Sequence, residues 1–329
     1  MKYFLKVIKI LFPFFLGGGI LYWMYRGAAF SEMKDVLLYD MHWEWMLLSF
    51  IPGILAQVFR ALRWKQSLKP IGENPRLNTC INAVFLSYMS SLVVPRSGEV
   101  LRCGVLSRND SISFSKSIGT VVTERAVDSL LVILMCAVVF CCQLPVFIDF
   151  FDITGMSCEG IFNKFTTAGI WVTVICVLGI IVLGLLLLRK LSFVRKVKDV
   201  MQDMMQGIIS VKKVNNKWLY LIYSLAIWIC YFLHYYMTFR CFDFMQNISL
   251  AAGVVSFCVG TIAVIVPTPN GAGSWHFAVK TILVLYGLQA ADAILFALTV
   301  HTIQTLLLVV LGIYAMAVLA WQKKQKLSK

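Results

Sequence analysis

Glu124, Arg125 and Asp128 stand within five positions of one another in an apolar run that opens near Ser117. At 1.5 Å per helical residue, Glu124 lies about 10 Å and Asp128 about 16 Å from that start. Charges so deep in an apolar helix are costly and ordinarily face a bundle interior or an aqueous cavity. Glu124 and Asp128 share one face a turn apart, and Arg125 is within pairing reach of Asp128. Two chemistries fit. One is an Arg–carboxylate latch between helices. The other is a guanidinium offered to a carboxylate or phosphate, which it can bind through two parallel hydrogen bonds.

A second set closes another apolar stretch: Pro95, Arg96, Gly98, Glu99 and Arg102. Arg96 and Arg102 can hold a phosphate while Glu99 pairs with one of them or with a cationic head group. The alternative is a helix end whose long side chains snorkel to the interface. A third set is Pro267, Pro269, Asn270, Gly271 and Gly273. These residues predict a turn that tolerates positive φ, with N–H groups beyond it that can receive an anion at a helix start. His276 and His301 follow on apolar segments and are read first as hydrogen-bonded structural histidines. Under the repeat described below, His301 matches Asp128, which makes it a candidate coupling residue.

The elements that position these groups belong to a membrane protein. Of 329 residues, 60% are hydrophobic and 14% charged, and mean hydropathy is +0.80. Soluble domains carry about 25% charged residues. The net charge of +14 concentrates in loops between apolar runs, as in cytoplasmic loops, and does not point to nucleic acid. Most of the cysteines lie in apolar runs and act as small hydrophobes.

Full spans are expected at Phe4–Tyr25, Trp45–Trp64, Ser117–Phe140, Thr167–Leu188, Trp218–Phe239 and Ala291–Trp321. In FRALRWKQSLK, Arg60, Arg63, Lys65 and Lys69 read as markers of the cytoplasmic surface. The stretches 79–95 and 251–267 are short, polar and broken by proline. They read as re-entrant hairpins, the first dipping from the cytoplasmic side and the second, completed by Ser274–Tyr286, from outside. Broken backbone at membrane depth is tolerated only where protein or a wet cavity covers it. Residues 193–213 combine apolar residues at helical spacing with many cations, the pattern of an amphipathic helix on an anionic surface.

Pro95 recurs as Pro267 after 172 residues, and the flanking spans recur at a similar offset in opposite orientation. The expected fold is therefore an all-α polytopic membrane protein, with six spanning helices and two re-entrant hairpins in an inverted-topology repeat. Residues 1–329 form a single membrane domain. Residues 1–142 form the first repeat, 143–192 an outer loop and the helix opening the second, and 217–322 the remainder. Inverted repeats with paired interrupted helices are a transporter signature, with the site near the midplane. Both termini fall on the cytoplasmic side of an inner membrane. The chain lacks GxSxG, HExxH and aspartate-rich metal motifs. Arg125 between Glu124 and Asp128 argues against a divalent ion, so neither metal nor cofactor is expected.

The runs VVPRSGEVLRCGVLSR and SIGTVVTERAVDSL, with the upstream RALRW and the late PTPNGAG, resemble the lysylphosphatidylglycerol synthase transmembrane region family. That family includes the flippase domain of the multiple peptide resistance factor. The resemblance covers nearly the whole chain. It rests on Pro95, Arg96, Gly98, Glu99 and Arg102, and on Glu124, Arg125 and Asp128. The family's third motif usually runs Pro-x-Pro-Gly-Gly-x-Gly-x-x-Glu. Here Asn270 replaces a glycine and His276 the glutamate, so a cationic head group is not implied. The aminoacyl-transferring domain of the larger relatives has no counterpart in the sequence.

The resemblance implies a membrane lipid translocator that moves an anionic phospholipid or a polyprenyl-phosphate-linked lipid, with Arg96, Arg102 and Arg125 holding the head group. Protonation of Glu124, Asp128 or His276 is a candidate coupling step. The expected partners are membrane lipids. The alternatives are a membrane-embedded transferase or accessory subunit for head-group modification, and a scaffold that docks a lipid-modifying synthase through 193–213.

Overall fold

The computed structural model describes residues 39–94, 97–144, 146, 203, 205–207, 209–266 and 268–327, together with Tyr22 and Asp35. The expected spans Phe4–Tyr25 (apart from Tyr22) and Thr167–Leu188, much of the amphipathic stretch 193–213, and the residues Pro95, Arg96 and Pro267 lie outside the described residues.

The described residues form eight α-helices and no strand. They are α1 (Trp43–Leu68), α2 (Leu77–Val93), α3 (Ser97–Asp110), α4 (Phe114–Cys142), α5 (Lys217–Tyr236), α6 (Leu250–Ala263), α7 (Ser274–Leu285) and α8 (Ala290–Leu327). Side-chain oxygens open three of them. Ser113 accepts from the Lys116 N–H, Asn216 from Leu219 and Ser249 from Ala252, each satisfying a donor the helix leaves bare. α7 opens differently: the Gly273 N–H donates to Nδ1 of His276, so the imidazole caps its own helix.

Four helical segments are long and apolar enough to cross a membrane: Trp43–Ile71, Phe114–Cys142, Lys217–Cys241 and Ala290–Gln322. α2 and α6 are apolar but short. The 17 residues of α2 and 14 of α6 give about 26 Å and 21 Å, below the roughly 30 Å of a hydrocarbon core. Each is followed by a short helix that packs back against it, α3 on α2 and α7 on α6. The outer faces of the long helices expose Leu47, Ile51, Leu130, Ile133, Ile222, Ile229, Val310 and Ile313. A face of that kind suits hydrocarbon.

α1 packs along α5, α4 against α6, and α8 against α2. One core gathers Met46, Tyr235, Phe239, Phe242, Val279 and Phe296. Another gathers Trp64, Leu68, Cys80, Leu106 and Val121 around α1, α2, α3 and α4. The second core abuts the charged side chains.

The structure corrects one reading of the sequence. Arg60 and Arg63 do not mark a membrane surface, because α1 runs on through both of them to Leu68 and their side chains are 3% and 0% exposed. Lys69, just past the helix end, is exposed.

Candidate functional site: a buried ion-pair lattice beside a polar cavity

The depth of Glu124 and Asp128 in α4 makes sense once α1 and α3 are packed on that helix. Asp128 receives two arginines from α1. Arg60 Nη1 donates to Oδ2 at 2.7 Å, and Arg63 Nη2 lies 2.7 Å from Oδ1. Glu124 receives one arginine from α3, with Arg102 Nη2 2.8 Å from Oε2, and Arg63 Nε stands 3.9 Å from its other oxygen.

Aromatic and hydroxyl groups complete the cage. Arg102 lies over the Trp64 ring at 4.6 Å, and Trp64 Nε1 donates to Thr120 Oγ1 at 3.0 Å. Arg63 Nη1 donates to Ser224 Oγ at 3.1 Å. Burying unpaired charge would be prohibitive; here both carboxylates are matched and three helices are tied together. Three guanidinium groups nevertheless meet two carboxylates, and Arg102 Nε and Nη1 and Arg60 Nε have no hydrogen-bond partner among the described residues.

Arg125 differs from these. It projects from the same turn of α4 into a cavity of about 570 Å³ and keeps 41% of its side chain exposed. Its nearest acid is Glu99 on α3, also 40% exposed, with Oε1 3.0 Å from Nε; Asp128 is farther, at 3.8 Å. The cavity walls come from both halves of the chain. Ser91, Gly98 and Glu99 flank the break after α2, while Val266, Thr268 and Gly271 flank the break after α6. Arg60 and Arg102 reach the same cavity.

Gly98 sits where α3 crosses α2 so closely that a β-carbon would strike the Ser87 carbonyl. The turn after α6 carries the positive φ read from its residues: 51° at Asn270, 74° at Gly271 and 86° at Gly273. Its donors, however, are already used. The Gly271 N–H donates to Thr268 O, Ala272 to Pro269 O and Gly273 to His276. Within the turn these N–H groups are committed locally; the anion expected at the N–H groups beyond it falls on the first turn of α7, from Ser274 on.

His276 is 2% exposed, its ring centroid 4.5 Å from that of His301. His301 Nε2 lies 3.1 Å from the Asn270 carbonyl, and Asn270 Nδ2 donates to Thr305 at 3.0 Å. These contacts fit the structural role expected of both histidines.

A smaller cavity of about 330 Å³ adjoins the first and shares Arg60, Tyr88, Arg125, Thr261, Val264 and Asn270 with it. Glu124, Asp128, Gly273 and His276 are not among the residues lining either cavity.

Sequence reasoning missed Arg60 and Arg63 as part of the lattice. Their three-residue spacing, which puts both on one helix face, was the available signal. Tyr88 and Tyr231, whose hydroxyls meet at 2.5 Å at the cavity wall, left no such trace.

Apolar crossing helices around a buried ionic interior, with a half-exposed Arg–Glu pair lining a cavity, define a multi-pass membrane protein. The family model described as the lysylphosphatidylglycerol synthase TM region matches residues 10–312, and the chain belongs to that family. Comparison with curated proteins and with solved structures gave no match.

Proposed function

We propose that this protein is a lipid translocator that moves an anionic phospholipid or a polyprenyl-phosphate-linked lipid between leaflets. The observation that carries the reading is the larger cavity, where Arg125 and Glu99 stay about two-fifths exposed between residues flanking the two helix breaks. An arginine loosely committed to one carboxylate can exchange it for a phosphate, whose oxygens match the guanidinium fork. Arg102, with Nη1 unpartnered, and Arg96 are the further holders in this reading.

Membership of a family named for lipid synthesis supports a lipid as substrate. The order of elements supports an inverted repeat, since α1 to α4 correspond in sequence to α5 to α8. Packing is crossed accordingly, α8 on the short α2 and α4 on the short α6. In this reading the two short pairs are re-entrant hairpins among six spans, both termini are cytoplasmic, the membrane is the inner one, and rocking of the halves alternates access. Glu124 and Asp128 form the frame, and Glu99 is the acid that lines the cavity beside Arg125. A second reading, a head-group transferase or its accessory subunit, draws on the same family description. Product formation by the solubilised chain would favour it.

The test uses phosphatidylcholine vesicles with a trace of phosphatidylglycerol labelled on its acyl chain. A membrane-impermeant reductant bleaches the outer-leaflet probe. The protein is expected to expose the inner half of the label faster than empty vesicles do, and Arg125→Ala to slow it. A rate equal to that of empty vesicles, or one unchanged in both Arg125→Ala and Glu99→Gln, refutes the proposal.

A further inference from the structure

The smaller cavity has a chemistry of its own. Trp228, Tyr231, Tyr235, Phe257 and Trp275 supply ring walls, and no Asp or Glu is among the described residues that line it. Because Arg125 and Arg60 belong to both cavities, a phosphate at Arg125 has this aromatic chamber within reach of the rest of its head group.

Several polar atoms on its lining residues are buried without a hydrogen-bond partner among the described residues; on the uncharged side chains they are Gln57 Oε1, on a residue 2% exposed, and Trp228 Nε1. One accepts and the other donates. Buried groups left in that state are costly until a ligand or water supplies the match. A hydroxyl does both. An ammonium only donates, and it would find no carboxylate on these walls. The two lining histidines each direct one ring nitrogen at a backbone carbonyl, His234 Nδ1 at Ser49 O (2.7 Å) and His301 Nε2 at Asn270 O (3.1 Å). With those nitrogens protonated, the second nitrogen of each neutral ring is one more acceptor for hydroxyl hydrogens.

We infer that this chamber selects the part of the lipid head group beyond the phosphate, and that it takes an uncharged, hydroxyl-bearing group, a glycerol or a sugar. The phosphate's seat at Arg125 is taken from the translocator reading; the selectivity is a property of binding and is measurable without transport.

The experiment is native mass spectrometry of the full chain in detergent with equimolar lipid pairs. Dioleoylphosphatidylglycerol competes against dioleoylphosphatidate and, separately, against its lysyl ester. Glucosyl-phosphoundecaprenol competes against undecaprenyl phosphate. The expected result is a preference of about tenfold, the worth of one well-made buried hydrogen bond, for the hydroxyl-bearing uncharged member of at least one pair. Which pair shows it distinguishes glycerol from sugar.

Gln57→Leu should bring that ratio close to unity, and Trp228→Phe should lower it severalfold. Each ratio is internal to one sample, so a variant that folds poorly still reports it. The lysyl ester bound as well as phosphatidylglycerol with no sugar preference, or a ratio unmoved by both substitutions, overturns the inference. Intact ratios without lipid movement in vesicles would sink the translocator reading alone. Lipid movement without the ratios would sink this one alone.

Discussion

Asp128→Asn is the substitution that tests the ionic interior most directly. The wild-type carboxylate, 7% exposed, lies 2.7 Å from both Arg60 and Arg63. Asparagine keeps the shape and removes the charge, leaving two guanidinium groups that cannot deprotonate and are 3% and 0% exposed. Removing one partner of a buried pair costs about 3–5 kcal/mol, and serving two arginines puts this site at the upper end. Against a total stability of about 5–15 kcal/mol, a third or more is lost.

The assay is thermal melting in a mild detergent at one fixed scan rate, read by tryptophan fluorescence. Trp64, fully buried beside Arg102, reports on the site. At roughly 2 °C per kcal/mol for a larger domain, the midpoint should fall by about 6–10 °C. Arg60→Gln added to Asp128→Asn should recover part of the loss, because it removes one stranded cation. For comparison, Arg76→Gln breaks a pair with Asp110 in which the carboxylate is 6% and the arginine 56% exposed, and it should cost less than Asp128→Asn because the Arg76 backbone N–H still serves that carboxylate. A midpoint for Asp128→Asn within a degree of wild type, or additivity within about 0.5 kcal/mol across the cycle, would refute the reasoning.

Two further outcomes are expected, both read by the same melting measurement. Gly98→Ala should destabilise by several kcal/mol, because its β-carbon meets the Ser87 carbonyl and a second contact at Ser91 Oγ; Gly104→Ala on the same helix, with nothing within 4 Å of its β-carbon, should be neutral or stabilise by about 0.5–1 kcal/mol. Asn270→Gly should cost only about 1 kcal/mol for the lost bond to Thr305, whereas Asn270→Val adds the strain of a β-branched residue at φ 51° and should melt well below it.

The parts of the fold legible in the sequence were those written in hydropathy and in proline. The expected span 117–140 became α4, 114–142, and the broken stretch 79–95 became α2, 77–93. Those signals depend on neighbours along the chain. The partner of each charge does not. Asp128 was matched to Arg125, three residues away, yet its closest partners lie 68 and 65 positions earlier on α1, which only the packing of α1 on α4 decides. Arg60 and Arg63 looked like a surface marker because cations after an apolar run usually are one. Here the helix continued past them into the protein. His276 likewise read as a buried structural group, but its use as the cap of α7 depends on the turn at Gly273.

The contact between α2 and α8 joins stretches about 200 residues apart. At roughly 5–20 residues per second of synthesis, α2 spends about 10–40 s in the nascent chain before its long partner exists. Over that interval the Ser- and Asn-bearing helix packs against its near neighbours α1 and α3, while the face destined for α8 waits for a partner made last.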